Sequence, residues 1–355
     1  MDHQLNIDFT AGFSCPIPIT DYPTVLLAHG GGGKLSQQLI RSMFFSQFNN
    51  SALKQEHDGA MVSLGGARLA FSTDSYVVHP LFFPGGNIGE LAVYGTVNDL
   101  AMCGAMPRYL SAAFIIEEGF PMERLWTIVQ SMQQAAERSS VQLVTGDTKV
   151  VDRGKGDGIF ITTAGIGLIQ EGISIAPQRA AVGDAIILSG RVAEHGIAIM
   201  SAREGIEFKT QVQSDTAPLN DLVDVMLRTS KNIHVLRDPT RGGVARALNE
   251  IAGAAHVGIV IQESRILVTE EVRGACEILG LDPLYIANEG KLIAFVPDHE
   301  AENVLSAMQS HPNGKEATVI GRVVKEHPGT VVMKTSIGGN RVVDLLSGEQ
   351  FPRIC

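Results

Sequence analysis

The chain has 355 residues, 45% apolar and 19% charged, which suits two domains with separate cores and excludes a disordered polypeptide. A formal charge of −10 argues against a nucleic-acid partner, which would call for a basic stripe to neutralise phosphates. No apolar run approaches the roughly 18 to 20 residues that cross a bilayer, so no membrane partner is expected. Residues 1–4, Met-Asp-His-Gln, carry no basic n-region and no apolar h-region follows, so no export signal is expected. The four cysteines, at 15, 103, 276 and 355, include no C-x-x-C pair and fit a reduced cytoplasmic compartment with free thiols.

Thirty-eight glycines and only 6% aromatics favour many tight strand-to-helix turns, and the pattern along the chain predicts a mixed α/β (α+β) fold. Residues 1–30 form a leading segment whose first twenty residues hold no motif. An apolar run at 25–28 meets the loop His29-Gly-Gly-Gly-Gly-Lys34, after which Leu35, Leu39, Ile40, Met43 and Phe44 follow helical spacing. Strands are expected at 69–72, 109–116, 141–144 and 159–169, with a polar glycine-rich loop at 152–158. A helix carries Met122, Leu125, Val129, Met132 and Ala136 behind Pro121. A boundary at 176–184 separates a first domain, 31–175, from a second of comparable size, 176–346. The second should hold strands at 185–188, 233–236, 257–261, 291–296 and 341–346, and helices near 219–227, 244–252 and 271–279. Residues 347–355 have no period and predict a mobile tail; from Gly348 onward it spans roughly 25 Å if extended.

Several short motifs could carry chemistry. The N–H groups of Gly31, Gly32 and Gly33 could cradle phosphate at a helix start with Lys34 as a point charge, although Leu35 after Lys34 rules out a Walker A loop; a flexible linker is the alternative. Asp74, Asn98-Asp99 and Gly146-Asp147-Thr148-Lys149 place oxygen ligands near strand ends or in a helix, a donor type that suits magnesium. Each aspartate alone also reads as a turn or cap. Asp238-Pro-Thr-Arg241-Gly-Gly243 offers a cation beside two glycines, for an anion or for a plain turn. Asn288-Glu289-Gly290-Lys291 reads as a solvated hairpin. Cys15, Cys103 and Cys276 read as small core fillers. Ten histidines without H-x-x-x-H or H-E-x-x-H spacing give a zinc hydrolase no support.

In their order and spacing these motifs resemble the aminoimidazole-ribonucleotide synthetase (PurM-like) superfamily of ATP-binding enzymes. The end Pro352-Arg-Ile-Cys355 narrows the resemblance to the carbamoyl dehydratases of hydrogenase maturation, the HypE family, over essentially the whole chain. The resemblance implies an N-terminal ATP-binding domain that pairs across a homodimer, a C-terminal α/β domain, and ATP and Mg²⁺ as cofactors. It implies metal or phosphate positions at Asp74, Asp99 and Asp147, and a phosphate loop of Gly31, Gly32, Gly33 and Lys34. Asn98, Gly146, Thr148, Asp238 and Arg241 complete the implied nucleotide contacts. Cys355, Lys149 and Glu289 are the implied catalytic residues.

The implied reaction starts when the Cys355 thiolate receives a carbamoyl group from HypF. The thiocarbamate S–C(=O)–NH2 cannot lose water until ATP converts its oxygen into a leaving group. Removal of the nitrogen protons then leaves S–C≡N, a cyanide equivalent for the HypC–HypD complex. Glu289 serves as base and Lys149 meets developing charge, or the two exchange roles. A thiol with a pKa near 8.5 also needs a neighbouring cation, for which Arg353 or Lys149 is the candidate. Cys15 followed by Pro16-Ile17 departs from the reactive Cys-Lys pattern of selenophosphate synthetases. A scaffold that binds nucleotide only for stability is the reading from another class.

Overall fold

The computed structural model describes residues 22–48, 50–205, 212–346 and 353–355. Helix α1 (Lys34–Leu39) opens directly after the glycine loop and runs through a π turn, Ile40–Phe45, into the short α2 (Ser46–Phe48).

The first domain is built on β1 (Ala60–Leu64), β2 (Ala67–Tyr76), the small hairpin β3 (Phe82–Phe83) and β4 (Gly86–Asn87), β5 (Ala105–Glu117), β6 (Gln142–Val151) and β7 (Ile159–Ile169). Its five-stranded sheet has the order β1-β2-β7-β5-β6, antiparallel except where β5 and β6 run together. Helices α3 (Ile88–Met102) and α4 (Met122–Arg138) supply the buried Ile88, Leu91, Ile128 and Met132 to the same core as Ala70, Leu110 and Ile161. α3 is apolar nearly all round, as a helix enclosed on every side must be. The outward positions of the sheet keep Phe71, Tyr109, Ile115, Ile166 and Leu168 exposed, and Phe71, Ile166 and Tyr109 lie opposite one another on neighbouring strands.

Two of these strands run further than their apolar stretches predict. β2 continues through Ser72-Thr-Asp74, and β6 carries Gly146-Asp147-Thr148-Lys149 in mid-strand, not in a turn. For β6 the cause is its partner: β5 offers backbone as far as Glu117, and each added residue completes the ladder. Gly146 permits that approach, since a Cβ there would collide with the Ala112 carbonyl.

The second domain contains β8 (Ala185–Leu188), β9 (Val235–Arg237), β10 (Gly258–Gln262), β11 (Ile293–Val296), β12 (Thr318–Val324), β13 (Val331–Lys334) and β14 (Asn340–Val343), in the order β14-β13-β10-β12-β8-β11-β9. Every residue of β8 and β11 is buried, because helices cover this sheet on both faces. α7 (Gly243–Ala255) packs Val244, Leu248 and Ile251 with Ile259 and Phe295; α5 (Glu194–Glu204), α6 (Asn220–Thr229), α8 (Glu270–Leu279) and α9 (Asp298–Gln309) belong to the other core cluster. That cluster also holds α3 and the first sheet, so the two domains share one continuous core. α5, α9, β12 and β13 have no counterpart among the elements expected from sequence.

Candidate active site

The shared core brings the start of β1, the last turn of α3 and the end of β9 to one point. There Asp58, Asp99 and Asp238 each direct a carboxylate oxygen to within 4.8 Å of the others. Burial, and then the charges of Asp238, Asp58 and Asp74, hold the Asp99 carboxyl well above its usual range. Ser72 Oγ opposes this by donating to Asp99 Oδ2 at 2.6 Å. Burial followed by Asp58 pushes Asp238 up to about 7, with Arg237 opposing. Arg237 is enclosed between Asp58 at 2.9 Å and Glu250 at 2.6 Å. The buried Oδ2 of Asp58 accepts no hydrogen bond. Three crowded carboxylates with an orphaned oxygen are an all-oxygen donor set that fits a hard divalent cation such as magnesium.

Asp74, half-buried, lines the same cavity of about 370 Å³. Burial raises its carboxyl and Arg241, 3.8 Å away, opposes the rise.

Glu289 reaches this cavity too, which corrects the expectation of a solvated hairpin: Asn288 is 0% and Glu289 4% exposed. The turn is covered from outside by the segment at 214–217 and fixed from below. Asn288 Oδ1 accepts from Ala193 N at 2.8 Å, Asn288 Nδ2 donates to Pro239 O at 2.9 Å, and Glu289 N donates to Asp215 Oδ1 at 3.1 Å. Gly290 has no room for a side chain against the Asp215 carbonyl. Burial, with Asp238, Asp215 and Asp74 adding to it, holds Glu289 well above the carboxylate range; Arg241 opposes. Its Oε1 is buried with no hydrogen-bond partner.

Cys355 stands in the same cavity, 7% exposed, with Ile354 2% exposed. The chain end is therefore docked and not mobile at 353–355, while Gly348 and the rest of 347–352 lie outside the described residues. The tail runs antiparallel to residues 77–79: Val77 N donates to Cys355 O at 3.0 Å and His79 N to Arg353 O at 3.1 Å. Arg353 does not serve the thiol as expected; it donates to Val77 O at 3.2 Å and pairs with Asp157. Burial pushes the Cys355 thiol up to about 12, Arg241 pulls it down, and Glu289 and Asp74 push it further up. The cation facing the thiol is Arg241, not Lys149.

Gly31, Gly32 and Gly33 line an adjoining cavity with Arg241, Arg246 and Ile354. Arg241 Nη1 donates to Gly30 O at 3.4 Å, so the glycine loop lies against two guanidinium groups suited to phosphate. Lys34 points away and pairs with Asp344 at 3.0 Å. Asn98 also departs from its expected role. Its Nδ2 donates to Ala217 O at 3.1 Å, its Oδ1 accepts from Leu219 N at 2.8 Å, and the side chain ties the domains together behind Glu289.

Asp147 and Lys149 are not among the residues lining the carboxylate cavity of the single chain. They stand on the exposed strand β6, paired at 2.7 Å, where the Lys149 ammonium holds the Asp147 carboxyl below its usual range. Gly146 and Thr148 share that strand. Cys103 and Cys276 are buried core residues, as expected, and Cys15 lies outside the described residues. Sequence reasoning missed Asp58, whose only local sign is His57-Asp58-Gly59 before a strand, and Arg237, Arg246 and Glu250, which have none.

Two family models match the chain in order: the AIR synthase related protein N-terminal domain over residues 56–169 and its C-terminal domain over residues 181–334. The carbamoyl dehydratase HypE of Cupriavidus necator H16 is 54% identical over 330 residues, covering 93% of this chain and 94% of the relative. Among solved structures, HypE in complex with ATP has a TM-score of 0.79 at 49% identity, covering 94% of this chain and 100% of the other. The HypE–HypF complex has 0.83 at 48%, covering 87% and 99%. The terminal cysteine seated among carboxylates thus sits in a chain whose two halves and whose length match these enzymes, and the chain belongs to the HypE family of carbamoyl dehydratases, within the AIR synthase-related superfamily.

Proposed function

We propose that this chain dehydrates a carbamoyl group carried on Cys355, at the expense of ATP, to a thiocyanate that supplies the cyanide ligand of nickel-iron hydrogenase. The observation that carries the reading is the convergence of the Cys355 thiol, Glu289, Arg241 and the aspartate cluster on one cavity. Relatives of the same family are known as a complex with ATP and as a complex with HypF, which supports ATP as the phosphoryl source and HypF as the carbamoyl donor. HypC–HypD is the proposed acceptor.

The thiol held near 12 inside the cavity is a poor nucleophile there. Carbamoylation therefore belongs outside, where the thiol is solvated, and dehydration inside, where a neutral thiocarbamate avoids the far larger cost of burying a thiolate. Inside, the carbamoyl oxygen accepts the γ-phosphoryl group, the C–O bond breaks, phosphate leaves, and two protons leave the nitrogen as the C≡N bond forms. A magnesium ion, held by Asp58, Asp99 and Asp238 with Asp74 beside them, would supply charge neutralisation for the triphosphate. Glu289, whose basicity burial strengthens, is suited in its ionised form to take a nitrogen proton. Arg241 faces Cys355, Asp74 and Glu289 and is suited to oppose the negative charge that develops on the departing oxygen.

The bare apolar face of the first sheet is best satisfied by a second copy of the chain, giving a homodimer. Lys149 and Asp147 stand at the edge of that sheet, so their part in the reaction is played across the pair. Among the described residues no helix is long and apolar enough to cross a membrane, and a cytoplasmic site of action accords with the free thiols. Phosphate release from ATP tests the reading: it should require carbamoylated protein and vanish in Cys355→Ala. Release that persists in that variant contradicts it.

A further inference from the structure

The last three residues each present a backbone oxygen, and each has a donor. Those of Arg353 and Cys355 are met by the backbone of residues 77–79, with Arg203 Nη2 adding a bond to Arg353 O at 2.9 Å. The carbonyl of Ile354 is met by a side chain, His195, whose Nε2 lies 2.8 Å away. A carbonyl only accepts, so Nε2 carries the proton. In the neutral ring Nδ1 then accepts from Ser214 Oγ at 2.8 Å, while Ser214 Oγ accepts from Thr216 N at 3.1 Å. The ring is 0% exposed and meets Phe83 edge-on with centroids 5.5 Å apart. Burial keeps it neutral more strongly than Asp215 favours its charged form.

The same elements hold Glu289. His195 sits in the first turn of α5, whose Gly196 N donates to Ala287 O at 3.2 Å and whose preceding Ala193 N is bound by Asn288. Gly196 is obligatory at that contact, since a Cβ would strike Ile286. The segment that presents Ser214 to the imidazole also presents Asp215 to Glu289 N. Tail and base are thus registered against one another through two adjoining pieces of backbone.

We propose that His195 is a positioning residue for the dehydration step: its Nε2–H, fixed in direction by Ser214, seats the Ile354 carbonyl and thereby places Cys355 opposite Glu289. The role assigned to this seat rests on the dehydratase reading, whereas the seat itself does not. Removing the donor leaves a buried carbonyl unpaired and shifts the tail outward.

The test is the rate at which iodoacetamide alkylates Cys355 in the full-length protein without ATP or partner, read on the terminal peptide. His195→Asn, whose amide is too short to reach Ile354, should raise the rate roughly 10-fold. His195→Gln, which can place a donor where Nε2 stood, should return it close to the wild-type rate. A filler role for the ring would make both variants alike, and equal acceleration or no acceleration in both overturns the proposal. So does a wild-type Cys355 that reacts as fast as an exposed thiol. Should His195→Asn not fold, Ser214→Ala leaves the ring in place and frees its orientation; a wild-type rate there overturns the proposal as well. With carbamoylated protein, His195→Asn should slow dehydration, whereas loading by the carbamoyltransferase, which takes the tail outside, should not be slowed. A chain that never loses water would refute the dehydratase reading and leave the alkylation result standing.

Discussion

Two acidic motifs look alike in sequence and fare differently in the fold. Asp99, inside α3, is enclosed with Asp58, Asp238 and Glu289 and is held far above the carboxylate range. Asp147, inside β6, is exposed, bound only to nearby Lys149 and the backbone of Thr148, and held below it. One group has been taken from water among other carboxylates, with the nearby Arg237 paired to Asp58 and Glu250; the other is solvated and paired. The contrast teaches that the single chain gathers the Cys355 thiol, Glu289 and the carboxylate cluster around one cavity and leaves the Lys149 pair on an exposed sheet edge, which on the proposed reading a second copy brings into use.

The largest effect should come from the enclosed side. Glu289→Gln keeps the shape and removes the proposed base, so single-turnover dehydration of carbamoylated protein should fall by about 10²- to 10⁴-fold. A fall of less than tenfold would move the base elsewhere, with Lys149 the first alternative.

The exposed side is tested by complementation. Lys149→Ala and Cys355→Ala homodimers should each be inactive. After subunit exchange an equal mixture should recover about a quarter of wild-type activity, because half the dimers are mixed and each has one competent site. No recovery would mean that Lys149 acts within its own chain, and an active Lys149→Ala homodimer would mean that it takes no part.

A smaller effect separates the two sides by pH. The raised carboxyls of Asp99, Asp238 and Glu289 favour the protonated form in the folded state, so the stability they contribute is complete below about pH 4 and is lost as pH rises through the folded values. For Asp238 that value is about 7. On the proposed reading magnesium would bind the ionised cluster, so it should raise the melting temperature by about 2 to 4 °C more at about pH 8 than at about pH 5. Asp58→Asn should abolish the difference. An equal shift at both pH values would place the cation elsewhere.

Much of this was legible in the chain. Periodicity located α4, α6, α7 and α8, and the break before Ala185 fell where β8 begins. The glycine loop, Asp74, Asp99, Asp238, Arg241, Glu289 and Cys355 all reached two adjoining cavities. The failures have physical causes. Asn288-Glu289 has the composition of an exposed turn, and only the segment packed over it at 214–217, distant in sequence, makes it a buried site. Asn98 has a ligand's chemistry, but tertiary contacts with Ala217 and Leu219 consume it first. α5 runs Ile197-Ala-Ile-Met200 without an amphipathic period, so neither the helix nor His195 stood out. α9, by contrast, did carry a readable signal in Ala301, Val304 and Met308 after Pro297.

The most direct test of the account is the intact mass of the wild-type protein after incubation with ATP, carbamoyl phosphate and the carbamoyltransferase. The account predicts that Cys355, located by its terminal peptide, first gains a carbamoyl group and then loses one water, with one ADP formed for each water lost. A carbamoylated Cys355 that persists unchanged while ATP stays bound would contradict it.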